Sequence, residues 1–389
     1  YGYPSRYSAL LAQRAKAGQG APWTTANISI PGDNTVKVLD RWARDLPPQQ
    51  GRYVVYALAL GNEGIHGGGR PKFNQFRDNM QVLIAKARAA GLVPVVTNSY
   101  TRNDYTPEDY AYIRQMNLLL HAWAVPTVNL LGAVDDGQGH WAAGYFDDAL
   151  HPNDRGHAEL ACAWVPSLFD ALRAGKPLPH HQATAGVRLA PNAPLTLVPE
   201  ALVHPFTQVV SFRTTNSGQL LTLGDSTRTG SLGIEPGGEL AYASALGGRL
   251  RSPARVNDNR WHQVALTHYF ARGETLLYLD GTAVGRLPEQ LHLRQLQLGG
   301  RHAPRGTRYR NWLFYRAGMN ADELRALAAD SLLKSSLELY APLDGRRSAA
   351  PDSLANLAQS LNKLLAPRPA PNQKRERRSA RRPLLLPNP

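Results

Sequence analysis

The segment FDDALHPND, residues 146–154, places a carboxylate three residues ahead of a histidine in a loop-like stretch. At that spacing Asp148 can hold one imidazole nitrogen of His151, fix its tautomer and leave the other nitrogen free as a base. That is the base half of a hydrolytic triad. The same residues also fit a turn whose Asp and Asn cap the following helix. A second feature, LGNEG at 60–64, ends a long apolar run. Its Asn62 can donate a side-chain N–H to a developing oxyanion, although Gly and Asn also make ordinary turns. A third, NISIPGDN at 27–34, could present the backbone N–H of Gly32 after a short strand. Asn98, Tyr100 and Arg102 follow another apolar run and are candidates, by position only, to line a substrate cleft.

Such side chains need a scaffold, and over residues 1–175 strand-like runs alternate with helical patterns. The runs 53–60 (YVVYALAL) and 92–97 (LVPVVT) read as buried parallel strands, and 125–131 (VPTVNLL) as a third. Between the first two, Phe76, Met80, Leu83, Ile84 and Ala87 recur at helical spacing until Gly91. Thr106 fits an N-cap with Pro107 at the first helical position, and a helix over 155–174 closes the region. Alternating strands and helices predict a three-layer α/β sandwich around a flavodoxin-like parallel sheet, whose sites form at the carboxyl ends of its strands.

Gly32 after one strand, Asn62 after the next, and Asp148 with His151 before the last helix follow the order of blocks two, three and five of the SGNH (GDSL-type) hydrolases, which this region resembles. In that family a serine in a Gly-Asp-Ser motif attacks an ester carbonyl. The resemblance implies Gly32 and Asn62 as oxyanion donors, His151 as the general base and Asp148 as its orienting partner. The chain departs from the pattern twice. Where the family usually has Gly-x-Asn-Asp, it has Gly61-Asn62-Glu63, one residue tighter. The opening YGYPS resembles the residues that come directly after the nucleophile, with 7–16 as the first helix. The family pattern therefore puts the serine and the first strand just before Tyr1. Ser5 falls too late for the motif, and Ser8 lies inside the helical pattern.

The texture changes beyond residue 204. Short alternating runs such as TQVVSF (207–212), HQVALT (262–267) and TLLYL (275–279), punctuated by Gly, Asn and Asp, predict an antiparallel β-sandwich over 205–345. Asp280-Gly281 between two runs predicts a two-residue hairpin, and 321–329 a late helix. DNRWHQVALT (258–267), LYLDG (277–281) and WLFYR (312–316) resemble the laminin-G-like, concanavalin A-type jelly roll. That resemblance implies binding of carbohydrate or extracellular matrix, in some members with calcium. Asp280 and Glu323 are the obvious carboxylates, and they fit turn and helix roles equally well. The proline-containing stretch 176–204 reads as a linker. The paired His180 and His181 in it read as exposed rather than as metal ligands, and the HGGG at 66–69 as a flexible loop near the site. Trp123 and Trp164 fit core positions.

Of 389 residues, 43% are hydrophobic and 19% charged, which excludes a wholly disordered chain. One cysteine, Cys162, excludes an intrachain disulfide. No run is long and apolar enough to span a bilayer. The net charge of +14 is uneven: residues 346–389 hold ten Lys/Arg against two Asp/Glu, leaving +6 on the rest. That composition predicts a disordered basic tail and gives no ground for specific nucleic-acid binding. The leading expectation is an acyl or acetyl esterase acting on an ester substrate, such as acylated carbohydrate. It would use no cofactor, would be fused to a glycan- or matrix-binding sandwich, and would be secreted or periplasmic. As the chain begins at Tyr1, hydrolysis is expected to be absent. The alternative is a non-catalytic binding protein with a degenerate esterase domain.

Overall fold

In a computed structural model the apolar runs of the first half become a parallel sheet; the structure describes residues 2–225, 227–348 and 352–367. The α/β part runs α1 (Tyr3–Lys16), α2 (Thr35–Asp45), β1 (Tyr53–Tyr56), α3 (Ile65–Ala89), β2 (Val93–Thr97), α4 (Pro107–Ala122), β3 (Thr127–Val128), α5 (Leu131–Val134), α6 (Asp154–Cys162) and α7 (Leu168–Arg173). The three strands pair in parallel in the order β1-β2-β3. Helices cover the sheet through two apolar clusters. One holds Phe73, Phe76, Met80 and Ile84 of α3 with Ile113, Met116 and Leu120 of α4. The other holds Tyr7 and Leu11 of α1 with Trp164, Leu168 and Phe169. The α4 start is a full capping box: Thr106 accepts from the Asp109 backbone N–H while Asp109 accepts from that of Thr106.

Several elements are shorter than their patterns. The 53–60 run ends as a strand at Tyr56, and Leu60–Glu63 is a 3₁₀ turn. The closing helix is broken between α6 and α7, where Pro166 removes a backbone donor. The strand expected before Gly32 is absent: residues 24–30 are largely exposed and pair with no strand. The Arg41 guanidinium holds this segment instead, donating to the Ile28 carbonyl (3.0 Å) and to Asp33 (2.7 Å).

The second half forms two antiparallel sheets. Its strands are β4 (Val187–Arg188), β5 (Leu195–Leu197), β6 (Phe206–Arg213), β7 (Gly218–Gly224), β8 (Thr229–Ile234), β9 (Glu239–Ala243), β10 (Arg249–Arg255), β11 (His262–Tyr269), β12 (Glu274–Leu279), β13 (Thr282–Pro288), β14 (Gln295–Leu298), β15 (Arg308–Tyr315), β16 (Leu337–Ala341), β17 (Ser353–Leu354) and β18 (Leu364–Leu365), with α8 (Ala321–Ala328) before β16. One sheet has the order β10-β9-β8-β7-β14-β5-β18-β17 and the other β13-β12-β11-β6-β15-β16. Alternate residues of both, such as Phe212, Leu221, Leu266, Leu296, Trp312 and Phe314, fill the core between them. Asp280 (φ 50°) and Gly281 (φ 76°) both take the left-handed conformation of the expected two-residue hairpin.

Two expectations at the edges of the sandwich need correction. The stretch 176–204 is no plain linker, because β4 pairs with β15 and β5 lies inside the larger sheet. Part of the supposed tail is also ordered. Leu364 is fully buried and pairs with Leu197, and Lys176 donates to the carbonyls of Asn356 and Ser360. A short segment needs no core of its own when an existing strand edge and core can receive it. The basic cluster at 374–382 lies outside the described residues.

The two parts share a polar, buried contact. Arg316 and Glu338, 1% and 0% exposed, pair at 2.9 Å, and the same guanidinium donates to the carbonyls of Cys162, Glu200 and Leu202. Removing one member of such a pair strands a buried charge. Arg316→Ala should therefore lower unfolding free energy by about 3–5 kcal/mol, measured by urea unfolding. A buried histidine adds a pH dependence. His268 accepts from the Leu291 backbone N–H and contacts Thr275 Oγ1 at 2.9 Å, and burial pushes its pKa from 6.5 down to about 3. The unfolded chain takes up this proton first, so stability should fall as pH drops from 6.5 to 3. The loss should be up to about 5 kcal/mol, and His268→Gln should flatten that part of the profile.

Candidate active site

His151 and Asp148 sit on a tight loop closed by a bridge between Phe146 and Pro152. Imidazole Nδ1 lies 2.9 Å from Asp148 Oδ2, while Asp148 Oδ1 accepts the backbone N–H groups of Leu150 (2.7 Å) and His151 (2.8 Å). These bonds, the histidine's foremost, hold the Asp148 carboxyl below the usual carboxylate range. Helix capping is done by another residue: Asn153 accepts from the Gly156 N–H and donates to the Gly144 and Phe146 carbonyls. Asp148 is thus left to its turn and to the imidazole. His151 is well exposed, and among the described residues no serine hydroxyl is hydrogen-bonded to it.

Gly32 and Asn62 come together although 30 positions apart. The Asn62 amide donates to the carbonyl of Asp33 at 3.2 Å, against the turn in which Gly32 takes a φ of 74°. That bond uses one of its two N–H groups and leaves the other to point elsewhere. Glu63, which replaces the family's Asp, is buried and accepts from the Thr35 N–H (2.9 Å), the Thr35 hydroxyl (2.7 Å) and Gln75 (2.7 Å). It ties the Asn62 loop to the start of α2 rather than entering the site.

The loop after β2 joins these two halves. The Asn103 backbone N–H donates to the Ala149 carbonyl at 2.8 Å, reaching the His151 loop. Arg102, paired with Asp104 at 2.6 Å, packs on Gly61, beside Asn62. Tyr100 stacks on Trp141, whose indole donates to the Ala149 carbonyl. Asn98 is different. It is buried, its carbonyl accepts the N–H groups of Leu130 and Leu131, and its amide donates to Asn129. It therefore holds β2 to the end of β3 and does not line a cleft. Tyr100 and Arg102 stay beside the candidate site.

One member of this neighbourhood was missed in the sequence. His66 Nδ1 lies 2.9 Å from Asp109 Oδ2, and that carboxylate raises the imidazole's pKa. The HGGG stretch is a kink within α3, with left-handed Gly67 and Gly69, so it is not a helix-opening phosphate loop. Only the capping-box pattern at 106–109 marked Asp109, and nothing local links it to residue 66. A Ser335, His121, Glu323 set looks like a triad but is structural, since His121 Nδ1 already accepts the N–H groups of Lys334 and Ser335. In the sandwich, Asp280 binds His262 and the Gln263 N–H, and Glu323 binds Asn129 and the Asn320 N–H. No group of three or more His, Cys, Asp or Glu among the described residues is placed to hold a metal ion.

With the base pair and the Gly32–Asn62 contact at the same edge of a parallel sheet, family comparison becomes decisive. Residues 1–159 match the GDSL-like Lipase/Acylhydrolase family. The chain thus carries a GDSL-like domain followed by a jelly roll. No curated protein matches it. Among solved structures similar to it is a Bacteroides ovatus protein described as carbohydrate binding, at 16% identity, 48% coverage of this chain, 59% of that one and TM-score 0.39. Another is the CBM40 of a Ruminococcus gnavus IT-sialidase, at 19% identity, with coverages of 37% and 96% and TM-score 0.30. A third is a mutant of the acetyl-xylooligosaccharide esterase Axe2 from Geobacillus, at 15% identity, with coverages of 42% and 78% and TM-score 0.36.

Packing around Gly61 supplies a test of this GDSL-like site. A Cβ there would lie 2.5 Å from the Tyr105 hydroxyl and 2.8 Å from Arg102 Cδ. Gly61→Ala should cost about 1–3 kcal/mol by displacing both side chains, read as a lowered melting temperature.

Proposed function

We propose that the protein is a serine-type ester hydrolase acting on acyl, foremost acetyl, esters of carbohydrate, held on its substrate by the β-sandwich and exported from the cytoplasm. The observation that carries the reading is the Asp148–His151 pair, exposed on a loop at the carboxyl edge of the sheet of a GDSL-like domain. No helix among the described residues is long and apolar enough to cross a membrane.

In this reading Asp148 holds Nδ1 of His151 protonated, and Nε2 accepts the proton of a serine hydroxyl as its oxygen attacks the ester carbonyl. The oxyanion takes hydrogen bonds from the free N–H of Asn62 and the backbone N–H of Gly32. His151 then returns the proton to the departing alcohol, and a water activated by the same nitrogen releases the acid from the acyl-enzyme. The family pattern assigns the nucleophile to a position just upstream of Tyr1. The alternative, a binding protein with a degenerate esterase domain, is favoured by the engagement of Ser8, whose hydroxyl donates to the Pro4 carbonyl and pairs with Thr25. A Gly-Asp-Ser encoded immediately before Tyr1 supports the enzyme, and its absence supports the alternative.

The chain starting at Tyr1 should show no serine-inhibitor-sensitive turnover of p-nitrophenyl acetate; clear turnover would overturn the nucleophile assignment. In the protein extended by its upstream residues, His151→Ala should lower kcat by several orders of magnitude. Asn62→Ala should lower it about 10²–10³-fold with KM little changed. Full activity in the His151 variant removes that residue from the mechanism.

A further inference from the structure

The outer faces of the two sandwich sheets differ. That of the β6-containing sheet presents Val209, Ala265, Leu313 and Tyr315, buried beneath Leu324 and Leu327 of α8. α8 in turn meets the α/β domain through Asn129–Glu323 and Arg114–Asp322. The outer face of the β5-containing sheet has no such cover. Strand register places Arg249, Ala243, Ser231, Thr222, Gln297 and Thr196 in one continuous row across β10, β9, β8, β7, β14 and β5. A second row begins with Arg251 opposite Ala241, continues to Gly233 and ends at Gln219.

The small residues in the middle of these rows leave a groove of about 180 Å³ floored by Gly233, Ala241, Ala243 and Ser231. Its polar lining is unspent. Among the described residues, the side chains of Thr196, Gln219, Thr222, Ser231 and Gln297 make no intramolecular hydrogen bond. A row of amides and hydroxyls two to a strand pair is what successive sugar hydroxyls require. No aromatic ring lines the groove, so recognition would rest on hydrogen bonds and charge rather than stacking. The charge sits at one end. β10 points Arg249, Arg251 and Arg255 to the same side, with Arg249 bonded to Glu235 and Arg255 opposite Glu239. Arg251 has no ion pair among the described residues, and its planar fork fits a carboxylate.

We infer that this open sheet face is a binding site for an acidic, carboxylate-bearing oligosaccharide, laid across the strands with its charged sugars toward β10. The inference rests on the reading of the sandwich as a saccharide-binding domain and is independent of the esterase chemistry.

Calorimetric titration of the whole chain with oligogalacturonate, xylo-oligosaccharide and oligo-dT tests it. Oligogalacturonate should bind, and binding should weaken at least tenfold in Arg251→Ala and in Ser231→Ile, which fills the groove. His151→Ala should bind as the parent does. Both face variants lie on an open surface, and unchanged melting temperatures would show that they fold. If oligogalacturonate binds the parent and both variants equally, this face is not the site. Equal affinity for xylo-oligosaccharide overturns the acidic assignment, and equal, Arg251-dependent affinity for oligo-dT makes the face a general polyanion surface. If no saccharide binds the parent, both the site and the reading of the sandwich as a saccharide domain fail, while the ester-hydrolase reading is left standing.

Discussion

A single guanidinium holds the two halves of the molecule in register. Arg316 is buried, and a buried cation is tolerated only when its donors are saturated. Here they meet Glu338 and three backbone carbonyls, those of Cys162 at the end of α6 and of Glu200 and Leu202 at the entry to β6. Satisfying Arg316 therefore fixes where the last helices of the α/β domain end, where the sandwich begins, and how β15 and β16 lie against both. Glu200, buried nearby, has its carboxyl pKa raised by desolvation, so the same cluster is sensitive to any change in its water content.

The contact continues toward the chemistry. At the carboxyl end of β3, Asn129 accepts from and donates to nothing but internal partners, receiving Asn98 and reaching Glu323 of α8, while its backbone N–H meets the Ser336 hydroxyl. Farther along the same edge, Arg272 donates to the Asp135 carboxylate at 3.0 Å. Asp135 in turn receives the Tyr110 hydroxyl and the Gly139 N–H, and the Gly139 carbonyl receives the Thr101 hydroxyl and the Arg102 N–H. The loop that carries Arg102 and Asn103, between the Asn62 and His151 loops, is thus supported from the sandwich. The sandwich acts as a wall of the catalytic domain as well as a candidate binding module.

Much of this was legible because it is local. The Asp148–His151 pair is three residues apart, and its geometry follows from one turn. The Asp280-Gly281 hairpin and the Thr106 capping box are equally short-range, and both formed as their residue types require. Segments read from composition fared worse. Residues 352–367 and 187–197 lack the pattern of independent structure, yet they are ordered by pairing with strands that the rest of the chain supplies. The strand expected before Gly32 failed for the converse reason: its residues suit a strand, but no neighbouring strand offers backbone partners.

By itself, then, the sequence determined the order of the elements, the two-part architecture and the base pair of a GDSL-like site, because periodicity, turn chemistry and short spacings act within a few residues. Tertiary structure decided which polar side chains were left free to do chemistry. It spent Asn98 on the sheet edge, Glu63 on α2, and Asp280 and Glu323 on neighbours, gave His66 a carboxylate partner 43 residues away, and left one sheet face of the sandwich open. Those outcomes depend on hydrogen-bond partners far apart in the chain, and no local pattern encodes whether a buried donor or acceptor will already be satisfied when the chain has folded.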